Sequence, residues 1–172
     1  ADTRRLVHRI GNDIVFALTG ERGIFDTKIA FTSKRGKFKH ICAIDFDGAN
    51  FQQITSGSHI DMSPTWSPDG KYLAFTSIST ADSTIKLYAQ SYPGERRSLI
   101  SGFPGINTAA AWSADGQKVA FVLSKDDNPE IYVKDRDGTM TRLTNSWSID
   151  TEPTWSPDGK WMAFVSDRGG SP

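Results

Sequence analysis

The spacing of apolar and polar positions changes character once along the chain. Over the first 25 residues Leu6, Val7, Ile10, Ile14 and Leu18 recur at i, i+4 and i+8, the one-sided stripe of an amphipathic helix of about four turns. Thr3 is placed to cap its start, and Gly20 or Gly23 to end it. A single amphipathic helix cannot bury its own apolar face, so it is expected to pack on the rest of the chain, on another chain or on a further domain. Beyond residue 25 no ten-residue stretch keeps helical spacing. Short apolar and β-branched runs alternate there with Asp, Gly and Pro, the pattern of strands and tight turns.

Those runs repeat. Ser63-Pro-Thr-Trp-Ser-Pro-Asp-Gly-Lys-Tyr-Leu-Ala-Phe-Thr-Ser77, Ala109-Ala-Ala-Trp-Ser-Ala-Asp-Gly-Gln-Lys-Val-Ala-Phe-Val-Leu123 and Glu152-Pro-Thr-Trp-Ser-Pro-Asp-Gly-Lys-Trp-Met-Ala-Phe-Val-Ser166 align without gaps, their tryptophans 46 and 43 residues apart. A second landmark follows in phase at Ile41…Asp45-Phe-Asp-Gly48, Leu87-Tyr…Pro-Gly94 and Ile131-Tyr…Asp135-Arg-Asp-Gly138. A third lies at Gln53-Ile-Thr55, Ser98-Leu-Ile100 and Arg142-Leu-Thr144. In each unit Ser-Pro-Asp-Gly, or Ser-Ala-Asp-Gly, forms a turn in which Pro presets φ and Gly takes φ > 0. Four short strands per unit of this length make a β-propeller blade.

The fold class is therefore all-β, a β-propeller preceded by one amphipathic helix. Residues 1–25 form the helix and linker, and residues 26–172 the propeller portion. The first unit, from Lys28-Ile-Ala-Phe-Thr32, lacks its Trp-Ser-Pro-Asp-Gly strand, and the last ends two strands in. Two complete blades flanked by two partial ones give about thirteen strands, whereas a ring needs at least four blades. An open arc exposes strand edges and apolar faces. The chain is thus expected to belong to a longer propeller or to close by self-association with a second copy.

Composition narrows the function. Twenty Lys+Arg balance 20 Asp+Glu, which removes the basic excess that nucleic-acid binding draws on. Residues 1–40 carry a local balance of +5, and Lys34, Arg35, Lys37 and Lys39 read as a solvated hairpin tip. No apolar run has the length of a membrane span, so no transmembrane segment is expected, and the first residues show no signal-peptide pattern. Catalytic motifs are missing: there is no Gly-x-Ser-x-Gly elbow, His-Glu-x-x-His pair or phosphate loop. His8, His40 and His59 stand apart without recurring partners, and Cys42 reads as a small core residue. The Asp-x-Asp-Gly segments lack the third acidic position and distal Glu of a calcium loop and read as turns. No cofactor is indicated, including calcium in the propeller channel. What repeats builds the fold, so function is sought where the copies differ. Those segments are His59-Ile-Asp-Met62, Gly105-Ile-Asn-Thr108 and Ser148-Ile-Asp-Thr151-Glu152, which enter the strand nearest the axis and are expected to meet at one rim.

These blades resemble those of the TolB family. The junction His8-Arg-Ile-Gly-Asn-Asp-Ile14…Leu18-Thr-Gly-Glu-Arg-Gly-Ile-Phe25 is similar to the end of that family's amino-terminal α/β domain, of which residues 1–25 would be a remnant, running into its first blade. Asp150-Thr-Glu-Pro-Thr-Trp155 with Ala163-Phe-Val-Ser-Asp-Arg168 is similar to a later blade. The resemblance implies a six-bladed propeller in a non-enzymatic, periplasmic protein of the Tol–Pal envelope system. Its partners would be the peptidoglycan-associated lipoprotein Pal at one rim and colicins that exploit the Pal site, in support of outer-membrane integrity and cell division. TolA engagement belongs to the start of the family's first domain, which this chain reduces to its last helix. By position, the Pal contacts fall on Met62, Ile106, Ala109, Thr151 and Glu152. Peptidase propellers share the blade motif, so the alternative is the gating propeller of a prolyl-oligopeptidase-like serine peptidase, which requires a hydrolase domain elsewhere.

Overall fold

The computed structural model describes residues 2–94 and 96–170. Helix α1 (Asp2–Thr19) precedes β1 (Lys28–Arg35), β2 (Phe38–Asp45) and the two-residue β3 (Gln52–Gln53), which form a first, three-stranded blade. Strands β4 (His59–Trp66), β5 (Tyr72–Ser79), β6 (Ile85–Ser91) and β7 (Arg97–Ser101) form the second blade. The third comprises β8 (Asn107–Trp112), β9 (Lys118–Leu123), β10 (Glu130–Asp135) and β11 (Met140–Arg142). A fourth begins with β12 (Asp150–Trp155) and β13 (Met162–Ser166). Pairing within every blade is antiparallel, and a parallel bridge, Lys39 to Ile60, ties the first blade to the second. The sheets do not close into a ring.

Large side chains are buried between blades. Ile41, Ala30 and Ile54 of the first blade pack with Leu73, Phe75, Trp66 and Tyr88 of the second. Leu87 and Ile100 of the second pack with Phe121, Leu123, Tyr132 and Met140 of the third. Full burial of one such side chain contributes about 1.5–3 kcal/mol. Cys42, next to Ile41 on β2, is buried as well. Glu130 is buried whole at the edge of β10. Burial pushes its carboxyl up, but Thr144, the Ser146 backbone N–H at 2.7 Å and the Arg142 guanidinium at 3.0 Å outweigh this and hold it below the usual range. That network fastens β11 and the segment after it.

Three identical turns join each innermost strand to the next. Gly70, Gly116 and Gly159 each donate to the carbonyl three residues back, at 2.8, 2.8 and 2.9 Å, with φ of 68, 67 and 68°. Ser67, Ser113 and Ser156 donate to Asp69, Asp115 and Asp158 at 2.7, 2.6 and 2.5 Å. Each serine hydroxyl also accepts the backbone N–H five residues on, at 2.9 Å. The serine hydroxyl and the backbone N–H two residues beyond each aspartate hold all three carboxyls below the usual range. Asp45-Phe-Asp-Gly48 and Asp135-Arg-Asp-Gly138 are likewise turns between strands, with Asp47 and Asp137 accepting from Ala49 and Thr139.

The helix departs from expectation in three ways. It runs 18 residues, about five turns rather than four. Thr3 lies inside it and does not cap it. Gly20, with φ of 74°, ends it by donating to Phe16 O at 2.9 Å. Its apolar stripe is also not the docked face: Leu6, Val7, Ile10, Ile14 and Leu18 are exposed. The helix instead docks through small and polar residues. His8 and Arg4 reach Asp47 in the β2–β3 turn at 2.9 and 2.5 Å, and Asn12 Oδ1 accepts the Phe25 N–H at 3.0 Å. Gly11 lies so close to the Phe25 ring that a Cβ would come within 2.9 Å of it. Among the described residues no helix is long and apolar enough to cross a membrane.

The third sequence landmark is displaced in the second blade. Leu87 pairs with Ser101 and Tyr88 with Leu99, a bulge at Ile100, so the counterpart of Ile54-Thr55 is Ile100-Ser101.

Replacing Ser113 by Ala removes three bonds from a buried turn and is expected to lower stability by about 1–2 kcal/mol, read by urea unfolding. Because Asp115 titrates lower folded than unfolded, its contribution is complete above about pH 4 and is lost as pH falls through the native value. The difference between parent and variant should accordingly narrow in acid.

Candidate partner-binding rim

Strands β4, β8 and β12 each follow the loop that returns from an outer strand, so their first residues lie at the same end of their blades. Strand β8 contacts both β4 and β12. Each contains the same irregularity. Pairing steps from Met62–Thr76 to Thr65–Ala74, from Thr108–Val122 to Ala111–Ala120, and from Thr151–Val165 to Thr154–Ala163. One extra residue therefore sits on the inner strand every time, a β-bulge. The residues that turn the corner are Ser63, Ala109 and Glu152, at φ of 54, 53 and 50°. A left-handed conformation costs a residue with a Cβ about 1–2 kcal/mol, and here it recurs three times without glycine.

Around that corner the sequence positions take fixed environments. Two residues before it stand Asp61, Asn107 and Asp150, all fully buried. Asn107 Nδ2 donates to Phe103, Ile85 and Gly105 carbonyls at 2.7, 3.0 and 3.1 Å, and its Oδ1 accepts from Ser101 at 2.6 Å. Asp150 accepts from Arg168 at 2.7 Å. Among the described residues Asp61 has only a long ion pair, 3.9 Å from Arg97, whose guanidinium lies over Phe75 and Tyr88. Asn107 thus anchors the entry to β8 through backbone carbonyls, Asp150 ties its strand to Arg168, and the Asp61 carboxylate is buried without a hydrogen bond among the described residues. Thr108 shares a 3.0 Å hydrogen bond with Thr76 and so links the third blade to the second.

The five residues singled out in the sequence fall into three structural positions. Met62 and Thr151 are equivalent and half-buried, immediately before the corner. Ala109 and Glu152 are the corner residues themselves, Glu152 exposed. Ile106 is exposed, its N–H donating to Ser124 at 2.8 Å. Ile106 and Ala109 thus frame the entry to β8, with Thr151 and Glu152 on its neighbour β12 and Met62 on its other neighbour β4. Sequence reading missed Ser63, the third corner residue, and the shared burial of Asp61, Asn107 and Asp150. Their constant place five residues before each tryptophan was the available signal. The surface offers exposed backbone, a carboxylate, hydroxyls and an isoleucine, a set suited to protein recognition.

A family model described as the TolB beta propeller domain matches residues 15–172. The chain belongs to the TolB propeller family. It is 42% identical over 147 residues to the Tol-Pal system protein TolB of Desulfosudis oleivorans, covering 85% of this chain and 33% of that protein. Identity to the Protein TolB homolog of Chlorobium luteolum is 37% over 172 residues, 99% of this chain and 38% of the relative. The crystal structure of TolB from Acinetobacter baumannii superposes with a TM-score of 0.87 at 35% identity, covering all of this chain and 44% of that one. The chain thus spans well under half the length of these relatives. The tricorn protease is similar at 15% identity with a TM-score of 0.64, a likeness of fold alone.

The corner has a direct stability signature. Ala109→Val places a β-branched residue at φ of 53° and should cost about 1–3 kcal/mol, whereas Ala109→Gly should leave stability within about 1 kcal/mol of the parent. Thermal unfolding of the two variants measures the contrast.

Proposed function

We propose that this chain is part of a non-enzymatic, periplasmic scaffold of the Tol–Pal cell-envelope system, which binds the lipoprotein Pal through the rim formed by the entries to β4, β8 and β12. Residues 1–25 are the end of a preceding α/β domain and residues 26–172 the first portion of the propeller. The observation that carries this reading is the threefold strained corner at Ser63, Ala109 and Glu152 in a chain of the TolB family. Backbone strain kept at equivalent places in successive blades is expected where it holds a surface in a set shape. Ile106 and Met62 contribute apolar contact, Thr151 and Glu152 hydrogen bonds, and Ala109 close backbone approach. Colicins would use the same surface, and TolA the preceding domain. Outer-membrane integrity and cell division would depend on the resulting complex.

Replacing Thr151 and Glu152 together by Ala in the full-length protein is expected to weaken Pal binding by about tenfold or more, measured by calorimetry. Unchanged affinity in a folded double variant would remove these residues from the site.

A further inference from the structure

At the end of the blades opposite the rim, the innermost tryptophans border clefts between successive blades. The cleft between the first and second blades is filled from within. Tyr92, just beyond β6, sets its ring edge-on against Trp66, with centroids 5.0 Å apart and planes at 80°. Its hydroxyl donates to Gln52 Oε1 of the first blade at 3.1 Å.

The next cleft repeats the tryptophan, as Trp112, has Tyr72 where the first has Lys28, and has no such plug. Tyr88 and Tyr132 are equivalent, each lying 6.3 Å from the phenylalanine opposite it, Phe75 or Phe121. Four residues on, Tyr92 therefore corresponds to Arg136. Gln52, opposite Ala43, corresponds to Ser98, opposite Ala89. The cleft left open has a volume of about 570 Å³, bordered by Tyr72, Leu99, Trp112 and Val119, with Ser98 and Arg136 among its polar lining. Arg136 is exposed and makes no hydrogen bond or ion pair among the described residues. Lys134, by contrast, is engaged with Ile100 O at 2.7 Å.

We propose that this second cleft receives a tyrosine side chain carried by another polypeptide, seated as Tyr92 is seated one blade earlier. Its ring lies edge-on against Trp112, its hydroxyl meets Ser98, and the Arg136 guanidinium covers its face as a cation over a π-system. The apolar walls suit an aromatic ring, the mouth carries Asp69, Asp115 and Asp135 beside Lys134 and Arg136, and the neighbouring cleft packs a phenol against the equivalent tryptophan. This site is separate from the rim, and its test does not depend on the rim's function.

A blocked Ser-Tyr-Pro-Gly peptide, which copies residues 91–94, is titrated into the full-length protein while the Trp112 indole N–H is followed by NMR and assigned with Trp112→Phe. A saturable shift is expected, about fivefold weaker for the Phe peptide, which lacks the hydroxyl, and absent for the Ala peptide. Ser98→Ala should weaken the Tyr peptide about fivefold and leave the Phe peptide unchanged. Arg136→Tyr, which plugs the cleft from within, should abolish binding. The site is overturned by the absence of a shift, by equal shifts from the Tyr and Ala peptides, or by undiminished binding to folded Arg136→Tyr.

Discussion

Phe75 and Phe121 are fully buried, yet their own sheets are single layers, and the cover comes from the preceding blade: Ile41 and Ile54 for one, Leu87 and Ile100 for the other. A twisted four-stranded sheet has two faces and cannot close a core alone. Stability is therefore a property of blade pairs, as in other repeat architectures. The requirement fixes much else. The Ser-x-Asp-Gly turn must reverse the chain identically in each copy, because a shift of one residue would turn Phe121 away from the second blade. Blade-to-blade bonds such as Thr108 to Thr76 and Trp155 Nε1 to the Ala111 carbonyl, at 3.2 Å, then set how neighbouring inner strands lie against each other.

Rim and cleft are two consequences of that packing at opposite ends of the same strands. At the entry to each inner strand stands a buried Asp or Asn, of which Asn107 ties the backbone by hydrogen bonds, while the bulge forces one residue into the left-handed region. The strain at Ser63, Ala109 and Glu152 is held by pairing on both sides, so the exposed corner is preorganised. At the far end, the residue just beyond β2, β6 or β10 decides whether the gap is filled. Phe46 packs on Phe25 in the first blade, Tyr92 on Trp66 in the second, and Arg136 leaves the third open. Identical scaffolds thus differ in the single side chains set on them, where specificity in repeat proteins resides.

The blade was legible in the sequence because its signals are local. Ser67-Pro-Asp-Gly70 specifies its turn through its own side chains, and the apolar run Tyr72–Phe75 needs no distant partner to read as a strand. The missing strand of the first unit and the early end of the last were visible for the same reason. Features set by contacts between elements were less visible. Leu6 through Leu18 identified a helix correctly, but not its docked face, because Gly11, Asn12 and His8 meet Phe25 and Asp47 through close approach and polar bonds. The slip of the third landmark at Ile100 arises from a bulge, which spacing alone does not reveal. The corner at Ala109 and Glu152 was picked out by resemblance, but its strained conformation was hidden because neither residue is glycine.

The claim that the bulged strand entries form the partner surface is tested most directly by amide hydrogen exchange on the full-length protein with and without saturating Pal. Added protection is expected over residues 60–63, 106–109 and 149–152, with the Ser-x-Asp-Gly turns at the opposite end unchanged. Protection confined to those turns, or lying outside all three entry segments, would contradict it.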